Sequence, residues 1–292
     1  MDDRFEIIDT WPDFCDYWSQ VHDLGLHEQI ALWRNYYMSD YPELFQMQVD
    51  NYASEGIDWR VIAEKIFPDF PERIDFMEQA RNSIIENHRS ICSRAFDKLG
   101  LDFDLVLVIY VGTGCGAGWA TAYAGKSALL LGLENIAEEG WHTVGHIKGL
   151  ISHEIGHLAH MRWRAGLGSM DDDMRDPLFH LYSEGFAQRC EHVVNGKDTW
   201  HMAPDVEWLS WCGRNLGRLA AEFLRRVETG TPVRDFFGSW YNIEGRKMTG
   251  YYMGHAFVFE LEKTLSLKEV AVLDINEVRK LATEYLSAVA AN

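Results

Sequence analysis

Apolar residues recur at helical spacing through most of the chain. From Pro71 to Leu99, Ile74, Met77, Ala80, Ile84, His88, Ile91, Cys92, Ala95 and Leu99 form one stripe. Pro71 suits a first helical turn and Gly100 a stop, so the pattern predicts a long amphipathic helix on which His88 is a core residue. The rest of residues 1–100 also reads as helical, with dense aromatics such as Trp11, Phe14, Tyr17, Trp18 and Trp33 forming a core. The run 105–111 is apolar and β-branched and ends at Gly112, which predicts a buried strand. A glycine-rich segment, 112–118, follows, and 127–134 reads as a second strand. Helical patterns then cover 143–164, 179–194, 206–227, 251–265 and 276–290. Residues 165–177 read as a loop holding Gly166, Gly168 and a solvated acidic run, Asp171-Asp172-Asp173, without calcium-loop spacing. The fold class expected is α+β and mostly helical: a small sheet around 105–134 packs on the 143–164 helix. A helical N-terminal region, 1–100, precedes a second region, 101–292.

Composition narrows the function classes. The chain has 292 residues, 47% of them hydrophobic, enough for a sizeable core. A net charge of −18 argues against nucleic acid and anionic membranes as partners. No apolar run approaches the ~20 residues of a spanning helix. The first residues lack a basic and then apolar leader, so no signal peptide is expected. The five cysteines, Cys15, Cys92, Cys115, Cys190 and Cys212, are scattered and contain no Cys-x-x-Cys pair, which fits reduced thiols in a cytoplasm. The sequence gives no reading of oligomeric state.

One stretch concentrates candidate chemistry. Residues 147–160 contain His153-Glu154-Ile155-Gly156-His157, and chance produces such a motif in a chain of this composition about 4% of the time. On a helix, His157 falls about 40° from His153, one turn along, so both imidazoles can reach one metal ion. Leu150, Ile147, Leu158, Ile151 and Ile155 fill the adjoining arc, as expected of a core helix. Zinc suits imidazole, and a catalytic zinc site takes three protein ligands and a water. Glu154 falls about 100° from His153, where it can approach that water without being a ligand. His160 is expected beside the metal ligands or at the surface.

The third ligand has two kinds of candidate. A His six residues after His157 would be one, but that position is Trp163. A Glu on the next helix is the other; Glu184, in Ser183-Glu184-Gly185-Phe186-Ala187, and Glu191 lie on a shared face. His-Glu-x-x-His followed by a helix bearing Glu-Gly-Phe-Ala resembles the gluzincin metallopeptidases. The order strand, glycine-rich hairpin, strand ending in Gly-Leu-Glu and metal helix at 105–164 is similar too. Thr249-Gly250-Tyr251-Tyr252-Met253-Gly254 resembles the Tyr-x-x-Gly helix of a bacterial group of predicted zinc proteases. The resemblance covers roughly residues 100–265. It implies a zincin-like core, zinc bound by His153, His157 and Glu184, and Glu154 as general base for peptide-bond hydrolysis. It also implies that the 127–134 strand is an edge that pairs with an extended peptide or protein substrate. Tyr251, Tyr252 and His255 are candidates for a second oxyanion donor, and the Tyr-x-x-Gly pattern favours Tyr251.

Two other readings exist. A catalytically silent or latent metal-binding regulator would keep the same ligands. Alternatively, 120–127 fits a relaxed phosphate-loop pattern and 112–117 a relaxed dinucleotide fingerprint. A phosphate loop requires a helix opening at Lys126-Ser127 directly after a strand, where Leu129-Leu130-Leu131 instead reads as strand.

Overall fold

A computed structural model describes residues 4–167, 170–197 and 199–291. Gly168, expected in a loop, lies outside the described residues. The fold is α+β and mostly helical, with one small mixed sheet. The strands are β1 (Phe5–Asp9), β2 (Leu105–Tyr110), β3 (Gly118–Tyr123) and β4 (Lys126–Gly132). The N-terminal helices are α1 (Trp11–Val21), α2 (Leu26–Leu32), α3 (Pro42–Ser54), α4 (Trp59–Ile66) and α5 (Phe70–Leu99). Then come α6 (Leu133–Glu138), α7 (Val144–Trp163), α8 (Met170–Asp173), α9 (Pro177–Asn195) and α10 (Val206–Thr229). The chain closes with α11 (Thr249–Leu261), α12 (Leu267–Ala271) and α13 (Ile275–Ala290). None of the described helices is long and apolar enough to cross a membrane.

The chain divides into two compact units, 1–154 and 155–292. The division falls inside α7, whose turns run through it without interruption. In the first unit the strand order is β1-β2-β4-β3, with β1, β2 and β4 parallel and β3 antiparallel to β4. β2 is buried along its whole length, as its continuous apolar run requires. The long helix falls where the stripe predicts, and Gly100 stops it in the left-handed conformation (φ 65°). His88 is a core residue on it, its Nδ1 2.9 Å from the Ile85 carbonyl.

Three expectations change. The first hundred residues are not wholly helical: β1 pairs with β2 from Phe5↔Leu105 to Asp9↔Ile109, tying them to the sheet. Second, β4 is not an edge, because β2 and β3 occupy its two sides; the edge strands are β1 and β3. Leu133 and Glu134, read as strand, open α6. Third, 165–177 contains the short α8, and its Asp173 is not simply solvated. Asp173 lies 3.0 Å from the buried Arg164 guanidinium, which also donates to the Ala271 and Leu273 carbonyls.

The glycine-rich segment has an internal anion. Gly112 and Gly114 donate their backbone N–H groups to the two oxygens of Glu134, at 2.7 and 3.0 Å, and Gly116 donates to Asn135 Oδ1 at 3.0 Å. Backbone amides in such a turn form an anion cradle, and here a fully buried carboxyl fills it. Burial raises the Glu134 pKa to about 7 even though the amides favour the charged form. Lys126 opens a strand and pairs with Glu6 at 2.8 Å. Neither the free amides nor the helix that a phosphate loop needs is present at 112–127.

Candidate metal centre

Helix α7 carries the His-Glu-x-x-His stretch and α9 brings the acidic candidates. Asp176 caps α9 by accepting from the Leu178 and Phe179 amides, with Pro177 in the first turn. Small residues let the helices approach. A Cβ on Gly156 would stand 2.8 Å from Cys190 Cβ and 3.0 Å from Ala187 Cα, so α7 and α9 touch there through backbone. On the other side of α9, a Cβ on Gly185 would stand 2.7 Å from Gly254 Cα, so α11 crosses immediately beside Glu184.

Potential ligand atoms of His153, His157 and Glu184 lie within 4.8 Å of one another. His153 and Glu184 are buried, and His157 Nε2 is 3.4 Å from Glu184 Oε2. Two imidazoles and one carboxylate at this spacing fit a zinc ion with one open position. A divalent cation would also offset the cost of burying the Glu184 charge. Glu154 is buried one position from His153. A Cβ on Gly118 would stand 2.6 Å from Glu154 Oε1, so the start of edge strand β3 runs against this carboxylate.

A second donor group shares His153: His153, Glu191 and His201 also lie within 4.8 Å. Glu191 is fully buried and accepts from the His201 backbone N–H at 3.2 Å, with His201 Nδ1 at 2.7 Å. The two acidic candidates on α9 are therefore separated by their partners. Glu184 pairs with His157 and Glu191 with His201. His201 was not legible in the sequence, since it lies between helices with no spacing to signal it.

His160 is not at the surface; it lies within electrostatic reach of His157 and Glu184. It is fully buried, stacked on Phe186 at 4.4 Å and edge-on to Tyr182 at 5.0 Å, and burial holds it neutral. Tyr251 is half-buried with its ring edge-on to Phe237 at 5.9 Å. Tyr252 and His255 are engaged elsewhere. Tyr252 stacks on Trp200 at 5.8 Å, and His255 lies 3.2 Å from His192. Burial, with His192 and Arg189 beside it, lowers the His255 pKa to about 3.

His180 is a site residue that the sequence reading missed. Its Nε2 is 3.6 Å from Glu184 Oε1 and its ring stacks on Phe237 at 4.1 Å. The available signal was its i,i+4 spacing to Glu184 on one helix face. No family model, curated protein sequence or solved structure matches the chain.

Proposed function

We propose that the chain is a zinc-dependent peptide-bond hydrolase of the gluzincin type. The observation that carries this reading is the convergence of His153, His157 and Glu184 within 4.8 Å, with Glu154 on the same helix. The mixed sheet with an antiparallel edge strand, followed by the metal helix and the glutamate helix, supports a zincin-like core. His153, His157 and Glu184 would hold the zinc, which would supply Lewis acidity and a water with a pKa of ~7.

Glu154 then acts as general base, taking the water proton and passing it to the leaving amine. An extended peptide adds as a further strand to the free edge of β3, whose Gly118 end reaches Glu154. This replaces the expectation that 127–134 is the docking edge. Tyr251 is the residue of its group whose ring meets Phe237, the ring stacked on His180, and that contact supports it as the oxyanion donor. Five free cysteines support a reducing, cytoplasmic setting.

The test is a peptide-library cleavage screen on zinc-loaded protein, with Glu154→Gln as control. Cleavage by the native chain that Glu154→Gln abolishes while keeping zinc supports the proposal. Zinc binding without cleavage of any peptide would favour the silent metal-binding reading.

A further inference from the structure

The two oxygens of Glu184 have different neighbours. Oε2 faces His157 Nε2 at 3.4 Å and Oε1 faces His180 Nε2 at 3.6 Å. Among the described residues, neither donor group that could hold an ion includes His180. At 3.6 Å the His180 contact lies just beyond the usual hydrogen-bond range.

The ring of His180 is itself held. Phe237 stacks on it at 4.1 Å with 21° between the planes, and Phe237 is buried. Phe237 in turn occupies space that Gly250 leaves open: a Cβ on Gly250 would stand 2.7 Å from Phe237 Cζ and 2.8 Å from its Cδ1. The glycine is therefore not needed for the turn into α11, which Met248 makes with a φ of 58°. One chain of contacts runs Gly250, Phe237, His180, Glu184.

We infer that His180 is a positioning residue that, braced by Phe237, orients the Glu184 carboxylate so that Oε2 alone is presented to the metal. The inference rests on the zinc reading above. Ligating carboxylates are themselves oriented by outer partners, and losing one costs about 10–100-fold in metal affinity. The His180 ring can take that role because α9 places it one turn before Glu184, on the same face.

The experiment measures zinc dissociation constants by chelator competition and the visible spectrum of the cobalt-substituted protein, with circular dichroism and Tm alongside. His180→Leu keeps an apolar body against Phe237 and removes the N–H. It should weaken zinc binding by about 10–100-fold and change the cobalt bands while the protein stays folded. His180→Gln restores an N–H donor and should recover most of the affinity. Gly250→Ala, which displaces Phe237, should lower the affinity in the same direction. A purely structural role would lower Tm with affinity and spectrum unchanged. Zinc affinity within two-fold of native in His180→Leu, or equal losses in the Leu and Gln variants, would overturn the inference. A native protein that binds neither zinc nor cobalt would overturn the zinc reading itself and this inference with it, a result distinct from either of those.

Discussion

Gly185 and Gly254 meet backbone to backbone. A Cβ on Gly254 would stand 2.9 Å from Gly185 N and 3.0 Å from its Cα. Gly185 directly follows Glu184, and Gly254 ends the Tyr-x-x-Gly pattern. The two short motifs are thus halves of one helix crossing, which fixes α9 at the point where it presents the carboxylate. Gly185→Ala or Gly254→Ala should destabilise the protein by about 1–3 kcal/mol or more, the scale of overpacking a tight core. Urea denaturation checks this. A variant within experimental error of native would mean that the crossing is looser than the geometry implies.

The acidic candidates on α9 should separate in a metal titration. Glu184→Ala removes the proposed third ligand and should lower zinc affinity far more than Glu191→Ala. Glu191 lies with His201 beside His153, so its loss should cost no more than the roughly 10–100-fold typical of an outer partner. Chelator competition on both variants checks the order, and the reverse order would reassign the third ligand to Glu191.

Glu134 gives a pH dependence with a definite sign. Its folded pKa is raised from 4.5 to about 7, so between those values the folded state holds the proton more tightly than the unfolded chain. Its contribution is fully present below pH 4.5 and is lost as pH rises through about 7. The loss is on the order of 3 kcal/mol at 1.36 kcal/mol per unit. Glu134→Gln resembles the protonated acid and should flatten that part of the profile. Denaturation of both proteins at pH 5 and pH 8 measures it; identical slopes would show that Glu134 does not titrate in this window.

The same carboxyl argues against the nucleotide reading. With Gly112 and Gly114 already donating to Glu134, calorimetry with ATP or NAD at millimolar concentration should show no heat of binding. Lys126→Ala should change nothing beyond its pairing with Glu6. Micromolar binding abolished by Lys126→Ala would move the function to the 112–127 segment.

The helices were legible where a stripe and a stop signal coincide, as at α5 with Pro71 and Gly100. His153, His157 and Glu154 were legible because one helix fixes their spacing. β1 was not: Phe5-Glu6-Ile7-Ile8-Asp9 is too short to show a clear period, and its pairing with β2, a hundred residues away, decides its state. The edge strand was misassigned for a related reason. Gly118, Ala120 and Ala122, set between Trp119, Thr121 and Tyr123, weaken the strand signal of 118–123, while the apolar 126–132 run reads as strand whichever position it takes in the sheet. His201 and Phe237 were illegible because loops and a short 3₁₀ turn deliver them.

Tyr251→Phe should retain zinc and stability, change KM little and lower kcat by about 10²-fold, the scale for one lost oxyanion donor. Tyr252→Phe should be nearly silent in turnover, since its ring belongs to the Trp200 and Trp208 cluster. Steady-state kinetics on a peptide found by the screen checks both. A normal Tyr251→Phe beside an impaired His255→Ala would name the wrong residue of the group.

The most direct measurement is metal content by mass spectrometry of the purified chain and of His153→Ala and His157→Ala. About one zinc per native chain, lost in both variants, is the predicted result for a two-histidine, one-glutamate site. Full zinc retained by both variants, or none in the native chain after zinc loading, would contradict the account.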